Sequence, residues 1–214
     1  MLSVRQWPVI TGAFLTVLFV VLACVAHAAH AGTAVDHSVL NFMLSQRREW
    51  LTPVAVFITD VVGPDGMWPL GLIAGAVLWW RWRRPLPALV IFGTLMTTRI
   101  AISLTKHLVG TERPPHGVRL VAEQSPSYPS GHSVTTISVL GVLAVILGHG
   151  RSRTVRIWLW VAAAVGTVAV ALTRLYLGVH WLSDVTGGAL LGGLIVVVAG
   201  WWYVRYTAPP LSTA

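Results

Sequence analysis

Two histidines, a carboxylate and a set of cations recur in three short stretches of this 214-residue chain: Lys106-x6-Arg113-Pro114, Pro129-Ser130-Gly131-His132 and Arg174-x5-His180-x3-Asp184. The sequence around them is 55% hydrophobic and only 10% charged, so each of these groups stands in surroundings that penalise it. The third stretch has the most demanding spacing. His180 and Asp184 are four apart, so a helix beginning near the last apolar run puts them on one face, one turn from each other. The carboxylate can accept the N–H of one ring nitrogen and leave the other free as a nucleophile. Arg174 precedes Gly178, which can break a helix and let the chain double back, so that a planar guanidinium faces the imidazole.

The second stretch reads as a helix start. Ser130 can cap it, and the backbone N–H groups that follow, that of Gly131 included, point at an anion with the helix dipole behind them. His132 is then placed to give a proton to a leaving oxygen. The first stretch adds Arg113 and Lys106, the one lysine of a chain that otherwise uses arginine. Lys106, Arg113 and Arg174 can neutralise the oxygens of a phosphoryl group, and charge neutralisation with positioning is most of what phosphoryl transfer requires.

Taken singly, each residue has a structural explanation. Lys106 and Arg113 can anchor to headgroups, Ser130 can be a plain cap and Gly131 a turn. His180 and Asp184 can be a buried hydrogen-bonded pair or half of a metal site, with His107 and His116 as further imidazoles. Joint occurrence favours the chemical reading.

The elements that must position these groups are membrane helices. Mean hydropathy is +0.73, and apolar runs near 8–28, 67–80, 86–105, 133–147, 157–172 and 183–203 have the character of spans. The expected fold is all-α, a polytopic bundle of six transmembrane helices with a short interfacial helix, Trp50–Val62, before the second. Residues 1–206 read as one membrane-embedded domain and 207–214 as a disordered tail.

A net charge of +8 would suggest nucleic acid in a soluble protein, but here the arginines sort by loop. Arg5, Arg81, Arg83, Arg84, Arg151, Arg153, Arg156 and Arg205 flank alternate span ends, which predicts both termini in the cytoplasm and all three blocks on the outer face. No nucleic-acid partner is expected. Trp79, Trp80, Trp82, Trp158, Trp201 and Trp202 cluster at span ends as interfacial anchors. Cys24 is the single cysteine, so neither an intrachain disulfide nor a multi-cysteine metal site can form. Ala26-His27-Ala28 and Ala29-His30-Ala31 also resemble signal cleavage sites, but the first apolar run exceeds a signal core of about 7–15 residues, so it is read as a retained span.

Segments 30–66 and 106–132 read as outward loops, the second turned by Pro114-Pro115. Arg99, seven residues before Lys106, is expected to face the bundle and pair with an acid such as Asp60. His27, His30 and His37 read as interfacial. Glu112 and Glu123 fall near the blocks, where loop solvation and a role in leaving-group recognition both stay open.

The three blocks together resemble the type 2 phosphatidic acid phosphatase superfamily, over about residues 50–203. Three ordered blocks with matching internal spacing are specific; Pro-Ser-Gly-His alone would not be. The resemblance implies that His180 attacks phosphorus to give a phosphohistidine, that Asp184 orients it, and that His132 protonates the leaving group and then helps activate water. It further implies that Lys106, Arg113, Ser130, Gly131 and Arg174 bind the phosphate, and that neither metal nor cofactor takes part. One departure is Thr173, where the family usually has serine. The implied substrate is a lipid phosphate or diphosphate in the cytoplasmic membrane: a polyprenyl diphosphate such as undecaprenyl diphosphate, phosphatidic acid, or phosphatidylglycerol phosphate. A lipid-linked phosphotransferase would carry the same residues, and a non-catalytic lipid-phosphate binding or transport protein would need only the cations.

Overall fold

The computed structural model describes residues 6–207; Arg5 and positions 208–214, most of the expected tail, lie outside them. Among the described residues the regular structure is helical: α1 (Trp7–Ala29), α2 (Ala34–Ser45), α3 (Leu51–Val62), α4 (Pro64–Trp82), α5 (Leu86–Val109), α6 (Gly131–Gly148), α7 (Arg153–Tyr176) and α8 (Leu182–Thr207), with a 3-10 turn at His116–Val118. Six stretches are long and apolar enough to cross a membrane, and α3 with α4 count as one of them, Leu51–Trp82. The all-α, six-span expectation is met. The helices run past the apolar runs at most ends, because backbone hydrogen bonding continues where the hydrocarbon stops.

Gly63 separates α3 from α4. On one side of it α3 packs against α7, and on the other α4 packs against α5 and α6. The second apolar stretch therefore changes neighbours at the break. The 30–66 segment, which reads as a loop, also holds the helix α2. Its signal is the capping box at its start, in which Thr33 Oγ1 accepts from Asp36 N and the Asp36 carboxylate accepts from Thr33 N.

The central helix is α6: 61% of its most apolar window is buried, against 6% for α1 on the rim. It packs against α8, α7, α5 and α4. Close approach to α8 depends on Gly188 and Gly192. A Cβ at Gly188 would lie 2.8 Å from the Ser130 carbonyl oxygen, and one at Gly192 would lie 2.8 Å from that of Val134. Small residues at this spacing let two membrane helices touch backbone to backbone. Here they bring the start of α8 against the start of α6, so the third block meets the second. The C-terminal ends of α5 and α7 complete the same end of the bundle.

Candidate active site

His180 is 2% exposed and lies in the turn between α7 and α8. This corrects the expectation that His180 and Asp184 share one helix: α8 begins at Leu182, and Asp184 stands in its first turn. The physical reason is a cap. Asp184 Oδ2 accepts from Trp181 N at 2.8 Å, which satisfies an orphan amide at the start of α8 and stops the helix short of His180. The same oxygen lies 3.1 Å from His180 Nδ1 and also accepts from the Ser127 hydroxyl. The turn before it needs Gly178, whose φ is +70°, in keeping with its place after Arg174.

The tautomer of His180 follows from its other neighbour. Arg113 Nη1 lies 3.1 Å from His180 Nε2, and a guanidinium has donors only. Nε2 therefore accepts, and the proton sits on Nδ1, which donates to Asp184. Burial first, then the charges of Arg113, Arg174 and Lys106, hold the imidazole well below its ordinary pKa. That lowering favours the neutral ring, with a lone pair on Nε2.

The cations converge as the spacing suggests. Arg113, 8% exposed, donates from Nε to Ser125 O at 2.7 Å and from Nη1 to Val179 O at 2.7 Å. Arg174, in the last turn of α7, is 2% exposed, with Nη1 3.4 Å from Thr59 Oγ1. Lys106, near the end of α5, donates to the Pro126 carbonyl. Glu123, whose role the sequence leaves open, bridges the two guanidinium groups: it pairs with Arg174 Nη2 and lies 3.5 Å from Arg113 Nη2.

Ser130 occupies the N-cap position of α6 and donates its backbone N–H to Asp184 O at 3.0 Å. Its hydroxyl makes no cap bond, contrary to expectation, and is buried without a partner among the described residues, as is Arg174 Nε. Gly131 and His132 open α6, where the first amides have no partner inside the helix. His132 lies within electrostatic range of Arg174, Arg113 and Lys106, and its ring lies against Gly63. Two orphan donors, a helix N-terminus and three cations around one lone pair can bind a tetrahedral anion.

Ser127 and Thr59 are not foreseen from the sequence, and Glu123 is foreseen only as lying near the blocks. Ser127 and Glu123 come from the Pro- and Ser-rich loop and Thr59 from α3, and no periodicity marks any of them. Arg99 is corrected: it is exposed and so is Asp60, whose charge acts on Arg174. Arg99 shares a helical phase with Lys106, but only Lys106 of the two is buried, where it reaches the Pro126 carbonyl of the loop. Thr173 turns its hydroxyl to Val170 O at 2.7 Å, within its own helix. His107 and His116 bond locally, to Ser103 O and to Arg119. A cleft of about 780 Å³, lined by Arg113, His116, Arg119, Glu123 and Trp181 among others, reaches Arg113 but is not lined by His180 or His132.

Donors and cations gathered at one end of a six-span bundle suit a phosphate-like group, and comparison with known proteins names the class. The profile of the PAP2 superfamily matches residues 87–208. Phosphatidylglycerophosphatase B of Bacillus subtilis is 31% identical over 184 residues, 85% of this chain and 89% of its own. The bacitracin transport permease protein BcrC of Bacillus licheniformis is 30% identical over 177 residues, 79% of this chain and 77% of its own. A crystal structure of a transmembrane PAP2-type phosphatidylglycerolphosphate phosphatase from Bacillus subtilis aligns with a TM-score of 0.83 at 27% identity, covering 94% of this chain and 98% of that one. The chain belongs to the PAP2 superfamily. It is a multi-pass membrane enzyme of the lipid-phosphatase class.

Proposed function

We propose that the enzyme hydrolyses a lipid phosphate or diphosphate through a phosphohistidine on His180. The observation that carries this reading is the pair of contacts on one ring: Nδ1 at 3.1 Å from Asp184 and Nε2 at 3.1 Å from Arg113. They leave a lone pair aimed into the cations.

In the first step His180 Nε2 attacks phosphorus, the P–O bond to the lipid breaks, and the electron pair leaves on that oxygen, which takes a proton from His132. Asp184 holds the Nδ1 proton and stabilises the positive charge growing on the ring. Arg113, Arg174, Lys106, Ser130 Oγ and the first amides of α6, Gly131 N–H included, donate to the phosphoryl oxygens. In the second step water attacks phosphorus, His132 accepts its proton, the N–P bond breaks and inorganic phosphate leaves. The lone pair returns to Nε2.

The site faces outward from the cytoplasmic membrane, and both termini are cytoplasmic. The loop arginines at 81–84 and 151–156, with Arg205, lie at the end of the bundle opposite the three blocks, which supports this orientation. Residues 1–206 act as one domain. The substrate class comprises polyprenyl diphosphate, phosphatidic acid and phosphatidylglycerol phosphate, with the acyl or prenyl chain left in the bilayer.

The test is phosphate release by detergent-purified protein, in excess chelator, across those three lipids. Release from at least one, undiminished by chelator, is expected. Binding of a lipid without release would move the reading to a binding or transport protein, and transfer to a second lipid would make it a phosphotransferase.

Glu123 adds a quantitative expectation. Its carboxylate holds the donors that a phosphate would take, so Glu123→Gln removes a competing anion. A charge-assisted hydrogen bond contributes about 1.5–3 kcal/mol, and inhibition by orthovanadate should tighten by about tenfold, the equivalent of ~1.4 kcal/mol. Weaker inhibition would mean that Glu123 orients the arginines and does not compete.

A further inference from the structure

Asp36 is 2% exposed and comes from α2, outside the residues matched by the family profile. A buried carboxylate in an apolar protein needs several donors to be tolerated, and this one has four. Thr33 N and Thr33 Oγ1 donate to Oδ2 at 2.9 and 2.8 Å. Ser183 N donates to Oδ1 at 2.8 Å, and Ser183 Oγ donates to Oδ2 at 3.0 Å. The first pair caps α2. The second pair caps α8, from 147 residues away in the chain.

The start of α8 therefore carries two carboxylates with different tasks. Asp184 takes the amide of Trp181 and the His180 ring, and Asp36 takes the amide of Ser183, which lies between Trp181 and Asp184 in the chain. The same stretch of chain grips Trp181. Its ring lies 4.8 Å from that of His37 and against Gly32, where a Cβ would come within 3.0 Å of three ring atoms. Its indole N–H donates to Glu112 O at 2.8 Å. Trp181 and Ser183, which lie between His180 and Asp184 in the chain, are thus clamped by segment 32–37, with Asp36 as its one carboxylate.

We propose that Asp36 is a positioning residue for phosphoryl transfer: it fixes the first turn of α8 so that Asp184 and His180 keep the attack geometry. This rests on the reading of His180 as nucleophile. A displacement of about 1 Å at a reacting atom can lower a rate ~100-fold while leaving ligand affinity nearly intact. The cations that hold the phosphate sit on α5, α7 and the α5–α6 loop, and none is bonded to Asp36.

The experiment compares Asp36→Asn and Asp36→Ala with wild type and His180→Ala, in detergent, for kcat, KM, product inhibition by inorganic phosphate and thermal unfolding. Asp36→Ala is expected to lose ~10- to 100-fold in kcat with phosphate inhibition within about threefold of wild type, the size of a sub-kcal effect. Asp36→Asn, which keeps an acceptor for Ser183 N, should lie between and serves alone if the alanine protein does not fold. Unfolding at lower temperature with kcat unchanged in Asp36→Asn would overturn the proposal and leave a purely structural carboxylate. Parallel losses in kcat and phosphate affinity would also overturn it, since the cation site itself would then be disturbed. If His180→Ala retains turnover, the catalytic reading falls and this inference with it; if His180→Ala is inactive and Asp36→Asn keeps wild-type kcat, only this inference falls.

Discussion

His180→Ala is expected to lower turnover by ~10⁴-fold or more, the scale on which removal of an activated nucleophile acts. The residual rate would be what positioning and charge alone supply to attack by water. The loss should be chemical and not structural, because Asp184 keeps two partners when the ring is gone, the Trp181 amide at 2.8 Å and the Ser127 hydroxyl. Arg113 likewise keeps Val179 O and Ser125 O. Inorganic phosphate binding and thermal unfolding measured beside turnover separate the two causes. A variant that binds phosphate, unfolds normally and retains more than about a hundredth of wild-type turnover would remove His180 as nucleophile.

His132→Ala has the second largest expected effect, ~10²- to 10⁴-fold, the usual contribution of one general acid–base group. Its size should depend on the leaving group. A lipid monophosphate expels an alkoxide, a strong base that needs a proton as the bond breaks. A diphosphate expels a phosphate, which leaves readily without one. The loss in the first step should therefore be larger for phosphatidic acid than for a polyprenyl diphosphate. Hydrolysis of the phosphohistidine still needs a base in both cases, so with the diphosphate the covalent intermediate should accumulate. Equal losses on both substrates without accumulation would place the acid elsewhere.

Much of this site is legible in the sequence because it is written in local spacing. Gly178 marks the turn, the i,i+4 relation of His180 and Asp184 survives even though only Asp184 is helical, and the segment after Ser130 is a helix start whose amides point at the site. The six spans are legible from apolar length alone. The parts that local spacing does not carry are long-range. Asp36 meets Ser183, Glu123 meets Arg113 and Arg174, and Thr59 meets Arg174 through folding, not spacing. The helix α2 carries a capping box but too little apolar patterning to stand out from a loop. Arg99 misleads for the opposite reason: it has the helical phase of a buried residue, and phase says nothing about which part of a face is covered. Ser130 has the residue type and place of a cap, yet its hydroxyl is buried without a partner among the described residues, as is Arg174 Nε, and donors left over in this way suit an anion.

The most direct test of the account is to trap the covalent intermediate. His132→Ala protein would be mixed with polyprenyl diphosphate radiolabelled in its terminal phosphate, quenched into alkali within the first turnover, and mapped by proteolysis. The account predicts alkali-stable, acid-labile label on the peptide containing His180, and none in the His180→Ala, His132→Ala double variant. Label on another residue, or turnover at the wild-type rate with no labelled protein at any time, would contradict it.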